Sequence, residues 1–597
     1  MGIAMRQMDF LGDEKTFDRT VEQIVDEAVA VILSLLRSGT ILHVSFSGGK
    51  DSAVVANLSL VAAVQAVREG LTPRIIVTSS DTLVESPEVV RHVKTELAKM
   101  RAYGKQRGVD IQTHIVNPTL LSTWQVKVLS GRGLPSYSGT NTDCSVDLKI
   151  KPQLAFRKRL LASLRDTAEP VTLLGTRYAE SERRAVKMRD RQESHTTPVR
   201  NATGDLVLSP IAFWSTDEVW EYIGQAANGL ADTFSDFAET KRIYAHAGGA
   251  SCAVVADTLQ AGKVKKGGCG ARLGCFICQQ SEDKSLEAMI KFDQRYSYAT
   301  GLNRLNKFIR AIRHDWTRRN WVGRTIKAGY IAIEPDTFSP ATVRELFRYM
   351  LQLDFDEIKR AESKGESPMF QVLSYEMILA IDAMWSLNGL AEPFAAWYDW
   401  ADVFQNGIRY DIPEMDVVKE TPIPATRFLH VGSEWDDLAH HGSWSGLRDA
   451  YFEAMTERSC APELKEMPNG KMGWDTKTEQ RFSIDAESLC MFLDFELPDI
   501  LSNRKPMLER IVGGITQGYK WYFNYGILTL SHGLRTEHDH KLRRTAFKDR
   551  ENLTLSYDHE ALIAKTISFA DLPPNARAVW ACKSRADTAQ TELPLAA

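Results

Sequence analysis

The apolar positions in the first third of the chain form two alternating kinds of run. Short segments rich in apolar and β-branched residues, which predict strands, lie at residues 41–46, 74–78, 111–116 and 171–175. Longer stretches with apolar residues three and four apart, which predict helices, lie at residues 17–36, 51–68, 87–106 and 150–165. This alternation predicts an α/β fold with a doubly wound, mostly parallel sheet, which binds its ligand at the carboxyl ends of the strands.

The rest of the chain has a different pattern. Residues 302–316 carry an apolar stripe at helical spacing, and the remaining positions there are mostly basic. Residues 331–597 predict a mixed, mainly helical domain. Its predicted helices lie at residues 343–353, 370–388, 485–496 and 500–512. We therefore divide the chain into an α/β domain at 1–235, a cysteine segment with a basic helix at 236–330, and a C-terminal domain at 331–597 whose role the pattern does not indicate.

Composition narrows the class of protein. A chain of 597 residues predicts more than one domain, and a net charge of −4 does not indicate a general nucleic-acid binder. There is no apolar run of eighteen residues and no signal-peptide core at the N-terminus, so we expect a cytoplasmic protein without a membrane partner. Eight cysteines, four of them close together, favour metal or redox chemistry in a reducing compartment over a disulfide scaffold.

The turn after the first predicted strand carries the clearest chemistry. Ser47, Gly48, Gly49, Lys50, Asp51 and Ser52 stand between that strand and an apolar helix. Paired glycines allow close approach of a ligand, and backbone amides at a helix start favour phosphate. The spacing is not that of a Walker A loop. It resembles the PP-loop of the ATP pyrophosphatases, and this resemblance implies that the turn grips the terminal pyrophosphate of ATP, with Lys50 and Asp51 as catalytic residues.

Three further clusters of charged residues follow the other predicted strands and complete the pattern. Asp81 and Glu85 are candidates to hold the ribose or Mg²⁺, Gly175 and Arg177 to bind an anion, and Lys149 lies in a Lys-Ile-Lys-Pro stretch. With Pro210-Ile-Ala-Phe-Trp-Ser215, these clusters resemble the PAPS-reductase-like branch of the PP-loop superfamily, the adenine nucleotide alpha-hydrolase-like fold. That resemblance covers about residues 15–235.

The four clustered cysteines indicate a metal centre. Cys252, Cys269, Cys275 and Cys278 lie in one loop-rich segment, and the last two form a CxxC pair. Four cysteines without a histidine at ligand spacing fit a zinc site or a 4Fe-4S cluster, and spacing alone leaves both open.

The residues that follow the cysteines indicate a more specific resemblance. Ser281-Glu-Asp-Lys-Ser285, after Cys269-Gly-Ala-Arg-Leu-Gly-Cys275-Phe-Ile-Cys278, resembles the ATP pyrophosphatase subunit of DNA phosphorothioation systems, up to about residue 330. The resemblance implies ATP, Mg²⁺ and a 4Fe-4S cluster. It also implies DNA, a cysteine desulfurase as sulfur donor and other phosphorothioation subunits as partners, in anti-phage defence.

Two basic stretches are candidate nucleic-acid surfaces. The first runs through Arg304, Lys307, Arg310 and Arg313 to Arg318, Arg319, Arg324 and Lys327; a solvated outer face explains it equally well. The second is Lys541, Arg543, Arg544, Lys548 and Arg550, preceded by His532, His538 and His540, and we expect a polar surface helix there.

The expected activity is adenylylation of a DNA backbone phosphate by ATP, which prepares it for sulfur insertion. Lys50, Lys149 and Arg177 would stabilise the charge that grows on the phosphates. Cys144 is a possible sulfur relay, although a lone cysteine is usually inert. The alternatives are a PAPS or APS reductase, for which the tail at 591–597 offers no cysteine, a PP-loop tRNA thiolase, and a non-catalytic subunit that binds nucleotide only to control assembly.

Overall fold

The computed structural model describes residues 6–8, 14–16, 19–137, 143–164, 169–248, 274–280, 282–433, 463–466, 472–475, 482–505 and 514–581. Two short strands, β1 (Arg6–Met8) and β2 (Glu14–Thr16), pair near the N-terminus.

A six-stranded sheet organises the first part of the chain and confirms the predicted α/β fold. Its strands are β3 (Leu42–Ser45), β4 (Arg74–Ser80), β5 (Asp110–Val116), β6 (Val171–Leu173), β7 (Val199–Arg200) and β8 (Leu206–Leu208). Their order is β5-β4-β3-β6-β8-β7, and only β7 pairs antiparallel. The chain therefore leaves β3 on one side toward β4 and returns on the other side to β6, which opens a crevice at the end of β3.

Helices precede, connect and follow these strands. They are α1 (Val21–Arg37), α2 (Lys50–Arg68), α3 (Pro87–Arg107), α4 (Trp124–Leu129), α5 (Asp143–Ser145), α6 (Lys151–Ser163), α7 (Glu182–Asp190), α8 (Thr216–Ala227) and α9 (Ala238–Gly248). A π-helical turn, Val146–Ile150, joins α5 to α6. A capping box between Thr20 and Gln23 starts α1.

The central helix α2 lies almost entirely inside the protein. By length and composition it is the one helix among the described residues that is able to cross a membrane, but 78% of its 18-residue apolar window is buried. It packs between the sheet and α1, where its valines and alanines form the core with Leu42, Val44 and Leu173.

Helices dominate the described residues after α9, as the pattern predicts. They are α10 (Lys284–Phe292), α11 (Thr300–Ala311), α12 (Pro340–Lys364), α13 (Tyr375–Asn388), α14 (Ala395–Phe404), α15 (Ala486–Met491), α16 (Leu497–Ser502), α17 (Gln517–Asn524), α18 (His532–Arg550), α19 (His559–Ala564) and α20 (Pro574–Ala581). A second π-helical turn, Phe492–Glu496, joins α15 to α16.

Strands add a feature that the helical pattern does not predict. They are β9 (Val322–Lys327), β10 (Tyr330–Ile333), β11 (Arg427–His430), β12 (Glu463–Glu466), β13 (Met472–Asp475), β14 (Phe482–Ile484), β15 (Leu528–Leu530) and β16 (Ile567–Ser568). Four of them form an antiparallel sheet in the order β16-β11-β10-β9. The division drawn after residue 330 falls inside its β9–β10 hairpin.

The predicted helix at 370–388 is shorter in the structure. Val372 and Leu373 donate their amides to the buried carboxylate of Asp354, at 2.5 and 2.8 Å, so this stretch is extended. The helix begins only after Ser374, whose side chain caps it. Of the predicted helix at 500–512, residues 500–502 belong to α16, and 506–513 lie outside the described residues.

The short helix α4 ties the two parts of the chain together. Trp124, Val126 and Leu129 belong to the same hydrophobic core as α12, α13 and α17. The indole of Trp385 donates to the carbonyl of Leu129 at 2.7 Å, and the amide of Asn388 donates to the carbonyl of Ser130 at 2.8 Å.

Candidate functional site

A cavity of about 790 Å³ opens where β3, β4 and β6 end. Three loops line it: residues 45–51 after β3, 78–85 after β4, and 176–184 after β6, with α3 and α9 as further walls. The predicted site residues that line it are Ser47, Gly48, Gly49, Lys50, Asp51, Asp81, Glu85, Lys149 and Arg177. The three charged clusters that lie far apart in sequence therefore meet at one crevice, as the strand pattern predicts.

The turn between β3 and α2 has the shape of an anion cradle. Gly48 has φ +75°, and a Cβ there would lie 2.6 Å from Val93 Cγ2, so only glycine fits. Gly49 is the N-cap of α2 and offers no side-chain bond to the first-turn amides. Ser52 stabilises the turn from inside, with its hydroxyl 2.9 Å from the carbonyl oxygen of Gly49. The start of a long helix thus faces the cavity, where its dipole favours negative charge.

A chain of three charges crosses the floor of the cavity. Asp51 accepts from Lys50 Nζ at 2.8 Å through one carboxylate oxygen and from Arg177 Nε at 2.6 Å through the other. Arg177 is 1% exposed and also donates to the carbonyl of Trp214 at 3.0 Å. The guanidinium predicted as an anion ligand is therefore held by Asp51, which also pairs with the Lys50 ammonium.

Gly175 supports the cradle and does not line the cavity. A Cβ at this position would lie 2.9 Å from the carbonyl carbon of Asp51 and 2.9 Å from the amide nitrogen of Ser52. Both are backbone atoms at the start of α2, and these atoms cannot shift easily to make room for a side chain. The glycine that the sequence indicated as an anion binder is thus needed because β6 passes directly against the first turn of α2.

The β4 side of the cavity carries the acidic groups. Asp81 accepts from the amide of Leu83 at 2.9 Å, and burial raises the pKa of its carboxyl despite this bond. Glu85 accepts from Lys149 Nζ at 2.7 Å. Burial opposes the charge of Lys149, but the attraction of Glu85, Cys275 and Cys144 outweighs it and raises the pKa of Lys149.

The CxxC pair lies against this side of the cavity. The amide of Phe276 donates to the carbonyl of Val84 at 2.9 Å, and Cys275 forms a backbone bridge with Glu85. Asn306, on α11, fixes the turn between the two cysteines by donating to the carbonyls of Phe276 and Cys278 at 2.8 and 3.0 Å. Thr82 lies 3.7 Å from Cys275 Sγ. We call residues 274–280 the cysteine hairpin.

Cys144 approaches the hairpin from the other direction. Its amide donates to Ser136 Oγ at 3.3 Å, and the carbonyl of Ser136 accepts from Gln280 at 2.9 Å. Lys149 interacts with both Cys144 and Cys275. The sequence marked Cys144 only as a possible relay. Its proximity to the hairpin was not predictable, because residues 136–144 and 275–280 are distant along the chain.

The predicted metal centre is described only in part. Cys275 and Cys278 lie together, whereas Cys252 and Cys269 are outside the described residues. Among the residues that the structure describes, no three Cys, His, Asp or Glu side chains are arranged to hold a metal ion. Burial raises the pKa of the Cys275 thiol to about 12, so without a metal it is protonated at neutral pH.

Several cavity residues were missed by sequence reasoning. They are His92 and Lys94 on α3, Lys187 and Arg191 at α7, and Thr240 and Tyr244 on α9. Arg184, Lys187 and Arg191 follow helical spacing, and this spacing was the one signal that pointed to a basic face. Tyr244 lies in no motif and reaches the cavity only through the packing of α9.

Some residues of the candidate nucleic-acid surfaces are buried or paired with acidic side chains, whereas others, such as Arg304 and Lys307, are exposed. Arg319 is 4% exposed, Arg318 lies against Glu345, and Arg324 lies 2.7 Å from Asp336. The first stretch therefore does not form one continuous basic face.

The second stretch also differs from the expected polar surface helix. Lys548 and Arg543 are buried, and buried His538 contacts Tyr519 at 2.5 Å. These side chains are buried because α18 packs against neighbouring parts of the protein.

Comparison with protein-family models finds a match over the region that contains the sheet and the crevice. Residues 41–232 match the model of the phosphoadenosine phosphosulfate reductase domain. A search of curated protein sequences finds no match.

Solved structures show distant likenesses. An NAD⁺ synthetase from Burkholderia pseudomallei is 15% identical over 29% of this chain and 75% of its own, with a TM-score of 0.20. A phosphoadenylyl-sulfate reductase from Candida auris, in a phosphate complex, is 12% identical over 37% and 91%, with a TM-score of 0.22. A U34-tRNA thiolase from Methanococcus maripaludis with its 4Fe-4S cluster is 11% identical over 49% and 85%, with a TM-score of 0.20.

Proposed function

Since residues 41–232 form a PAPS-reductase-like PP-loop domain, we propose that the chain is an ATP pyrophosphatase that adenylylates a DNA backbone phosphate so that sulfur can be inserted. The observation that carries the proposal is the position of the cysteine hairpin. It is hydrogen-bonded to the rim of the cavity at Val84, next to Glu85 and Lys149. The cavity and a pair of thiols thus share one wall, and this arrangement suits a reaction that joins nucleotidyl transfer to sulfur chemistry.

The cavity residues suggest how ATP lies. The cradle from Ser47 to Lys50 would take the β and γ phosphates, because its amides and the Lys50 ammonium converge there. Asp81, at the end of β4, would hold the ribose or Mg²⁺, which is usually bound by one or two carboxylates together with substrate phosphates. Arg177 acts indirectly, because it pairs with the carboxylate of Asp51, which in turn pairs with Lys50.

The proposed reaction has two displacements at phosphorus. A non-bridging oxygen of the DNA phosphodiester attacks the α phosphate of ATP, its bond to phosphorus forms, and the bond to pyrophosphate breaks. A sulfur nucleophile then attacks the DNA phosphorus and AMP leaves with the original oxygen. Lys50 and Lys149 stabilise the charge that develops on the phosphate oxygens, and the fixed cavity walls orient the reactants.

The thiols that the structure describes fit a sulfur-binding metal centre in part. Cys275 and Cys278 would be two of its ligands, and the predicted Cys252 and Cys269, which lie outside the described residues, would be the other two. A 4Fe-4S cluster would supply a redox or sulfur-handling group there. The cationic Lys149 would favour a thiolate-rich centre by compensating its negative charge.

Pyrophosphate release tests the proposal. We expect purified protein with Mg-ATP to release pyrophosphate faster with duplex DNA than with RNA or without polymer, and label from the α phosphate of ATP to appear on the DNA when no sulfur donor is present. Stimulation by tRNA alone would favour a tRNA thiolase. Pyrophosphate release at the same rate with DNA, with RNA and without polymer would contradict adenylylation of a nucleic-acid backbone.

Anaerobic purification tests the sulfur side. We expect iron and acid-labile sulfide, both reduced by Cys275→Ser and unchanged by Cys490→Ser, since Cys490 is an exposed thiol on α15. Stoichiometric zinc in place of iron would contradict the cluster and leave the nucleotide chemistry to be judged separately.

A further inference from the structure

Tyr244 reaches from α9 onto the phosphate cradle. The amide of Lys50, in the first turn of α2, donates to the Tyr244 hydroxyl at 3.4 Å. A Cβ added to Gly49 would lie 3.2 Å from the same oxygen. The hydroxyl therefore occupies the space that the paired glycines keep open in front of the helix start, where a phosphate oxygen would accept the same amide.

The other donors of the cradle are engaged in a similar way. The amide of Gly49 donates to Ser47 Oγ at 3.4 Å, and Lys50 Nζ lies 2.8 Å from Asp51. The Lys50 ammonium is also 5.7 Å from the centroid of the Tyr244 ring. Tyr244 thus contacts the two groups of Lys50, its amide and its ammonium, that a triphosphate would use.

The packing of α9 holds the tyrosine in this position. Thr240 contacts His92 at 3.2 Å on α3, and Arg242 lies 3.3 Å from Glu88 on the same helix. The ring of Trp220 meets the ring of Tyr244 edge-on, with centroids 5.3 Å apart. Contacts with α3 fix the helix, and the contact with Trp220 on α8 fixes the ring.

We propose that Tyr244 is an intramolecular stand-in for phosphate: its hydroxyl holds the Lys50 amide in the nucleotide-free protein and leaves it when the pyrophosphate end of the nucleotide binds. The inference rests on the proposed function for the identity of that ligand. A phosphate oxygen carries charge and is a stronger acceptor than a phenol, so the exchange is favourable, but it costs the original bond. Because Tyr244 belongs to α9, nucleotide binding is coupled to that helix and to its contacts with α3.

Pyrophosphate binding by full-length Tyr244→Phe tests the exchange. The phenylalanine keeps the ring against Trp220 and removes only the competing oxygen. We expect inorganic pyrophosphate and Mg-ATP to bind about threefold to tenfold more tightly than to the wild type in calorimetric titrations, as the loss of one net hydrogen bond predicts. Unchanged or weaker binding would overturn the inference, because weaker binding would mean that the hydroxyl assists the phosphate.

Tyr525→Phe is the matched control. Tyr525 donates to Glu496 at 2.8 Å on the surface of the C-terminal part, so this variant also removes one tyrosine hydroxyl but leaves the cradle intact. We expect its pyrophosphate affinity to equal that of the wild type. A shift as large as that of Tyr244→Phe would overturn a specific role for Tyr244.

Hydrogen exchange of the unaltered protein gives a second readout. We expect pyrophosphate to raise the exchange of the amides in 238–248, because α9 loses its contact with the cradle. No change in this segment at saturating pyrophosphate would overturn the coupling. Failure of the wild type and of Tyr244→Phe to bind pyrophosphate or ATP would overturn both this inference and the proposed function, whereas release that ignores DNA would remove only the latter.

Discussion

The two sides of the cavity are built in different ways. On the phosphate side, a single segment from Phe46 to Ser52 contains the turn, the cation and the helix start. On the cysteine side, the hairpin depends on the loop at 82–85, on residues 136–144 and on Asn306 of α11. One segment thus supplies the main groups of the first side, with support from Gly175 and Arg177, whereas the second side is assembled entirely from distant segments. Substitutions in α11 should therefore affect the thiols and leave the cradle intact.

Removal of Lys50 should have the largest effect. We expect Lys50→Ala to lower the rate of pyrophosphate release by about 10²–10³-fold, because it takes away the cation at the cradle where charge develops. The measurement is a steady-state pyrophosphate assay with Mg-ATP and DNA. Lys359→Ala, which removes a surface lysine paired with Glu362 on α12, is the control and should keep the wild-type rate. A near-normal rate in Lys50→Ala would mean that the cradle is not the reacting site.

A methyl group at Gly175 should disturb the phosphate side without touching the ligand. We expect Gly175→Ala to weaken ATP binding at least about tenfold, because the new Cβ meets backbone atoms of Asp51 and Ser52 at 2.9 Å and pushes the start of α2. Isothermal titration measures the affinity. The control is Gly224→Ala in α8, where a Cβ meets nothing within 4 Å; it should stabilise the protein by about 1 kcal/mol. Equal ATP affinity in the two variants would contradict the role of the β6–α2 contact.

Asn306 tests whether the two sides are separable. We expect Asn306→Ala to lose iron during purification while its ATP affinity stays within about twofold of the wild type, since the side chain holds only the hairpin. Loss of its bonds to buried carbonyls should also lower the free energy of unfolding by about 1–3 kcal/mol. Iron analysis and denaturant titration measure these effects.

Asn303→Ala, one turn earlier on α11, is the control for Asn306. Asn303 is buried and makes no hydrogen bond to residues 274–280. We expect this variant to retain its iron. If ATP binding fell along with iron in Asn306→Ala, the two sides would not be independent.

Glu85 lies between the phosphate side and the cysteine side of the cavity, and its substitution should have the smallest effect. Since the pKa of Lys149 is raised above its ordinary value of 10.5, the pair contributes stability below that pH and loses it as pH rises through the raised pKa. Lys149 is half-exposed, so we expect Glu85→Gln to cost about 1 kcal/mol or less at pH 7. Denaturant titrations at pH 7 and pH 11 should show a smaller difference between wild type and variant at the higher pH. A difference that grows with pH would contradict this pairing.

The sequence predicted the sheet and the position of the turn at Gly48 and Gly49, because both depend on neighbours along the chain. The apolar runs place β3, β4, β5 and β6 within a few residues, and the paired glycines fall where the turn needs them. For Arg177, the sequence indicated the position but not its environment. A cation after a strand is expected to meet a ligand, yet here Asp51 and the carbonyl of Trp214 hold it.

There is a physical reason why the remaining features of the site and the fold could not be predicted from the sequence. Tyr244 and Asn306 act through tertiary contacts, which leave no periodic pattern in the local sequence. The basic positions at 304–327 resembled one continuous face because their acidic partners, Glu287, Asp336 and Glu345, lie elsewhere in the sequence. The strands β11 and β16 are short and separated by a long stretch, so the four-stranded sheet has no signal in any single window.

The insertion of α4 into the C-terminal core limits how the molecule can be divided. Expressed alone, residues 1–235 would expose Trp124, Val126 and Leu129 to water and would lose the bonds from Trp385 and Asn388. Such a fragment should aggregate or bind hydrophobic dyes, even though it contains the complete six-stranded sheet. Fusions, truncations and split versions of this protein should therefore keep residues 120–137 and 340–530 in the same polypeptide.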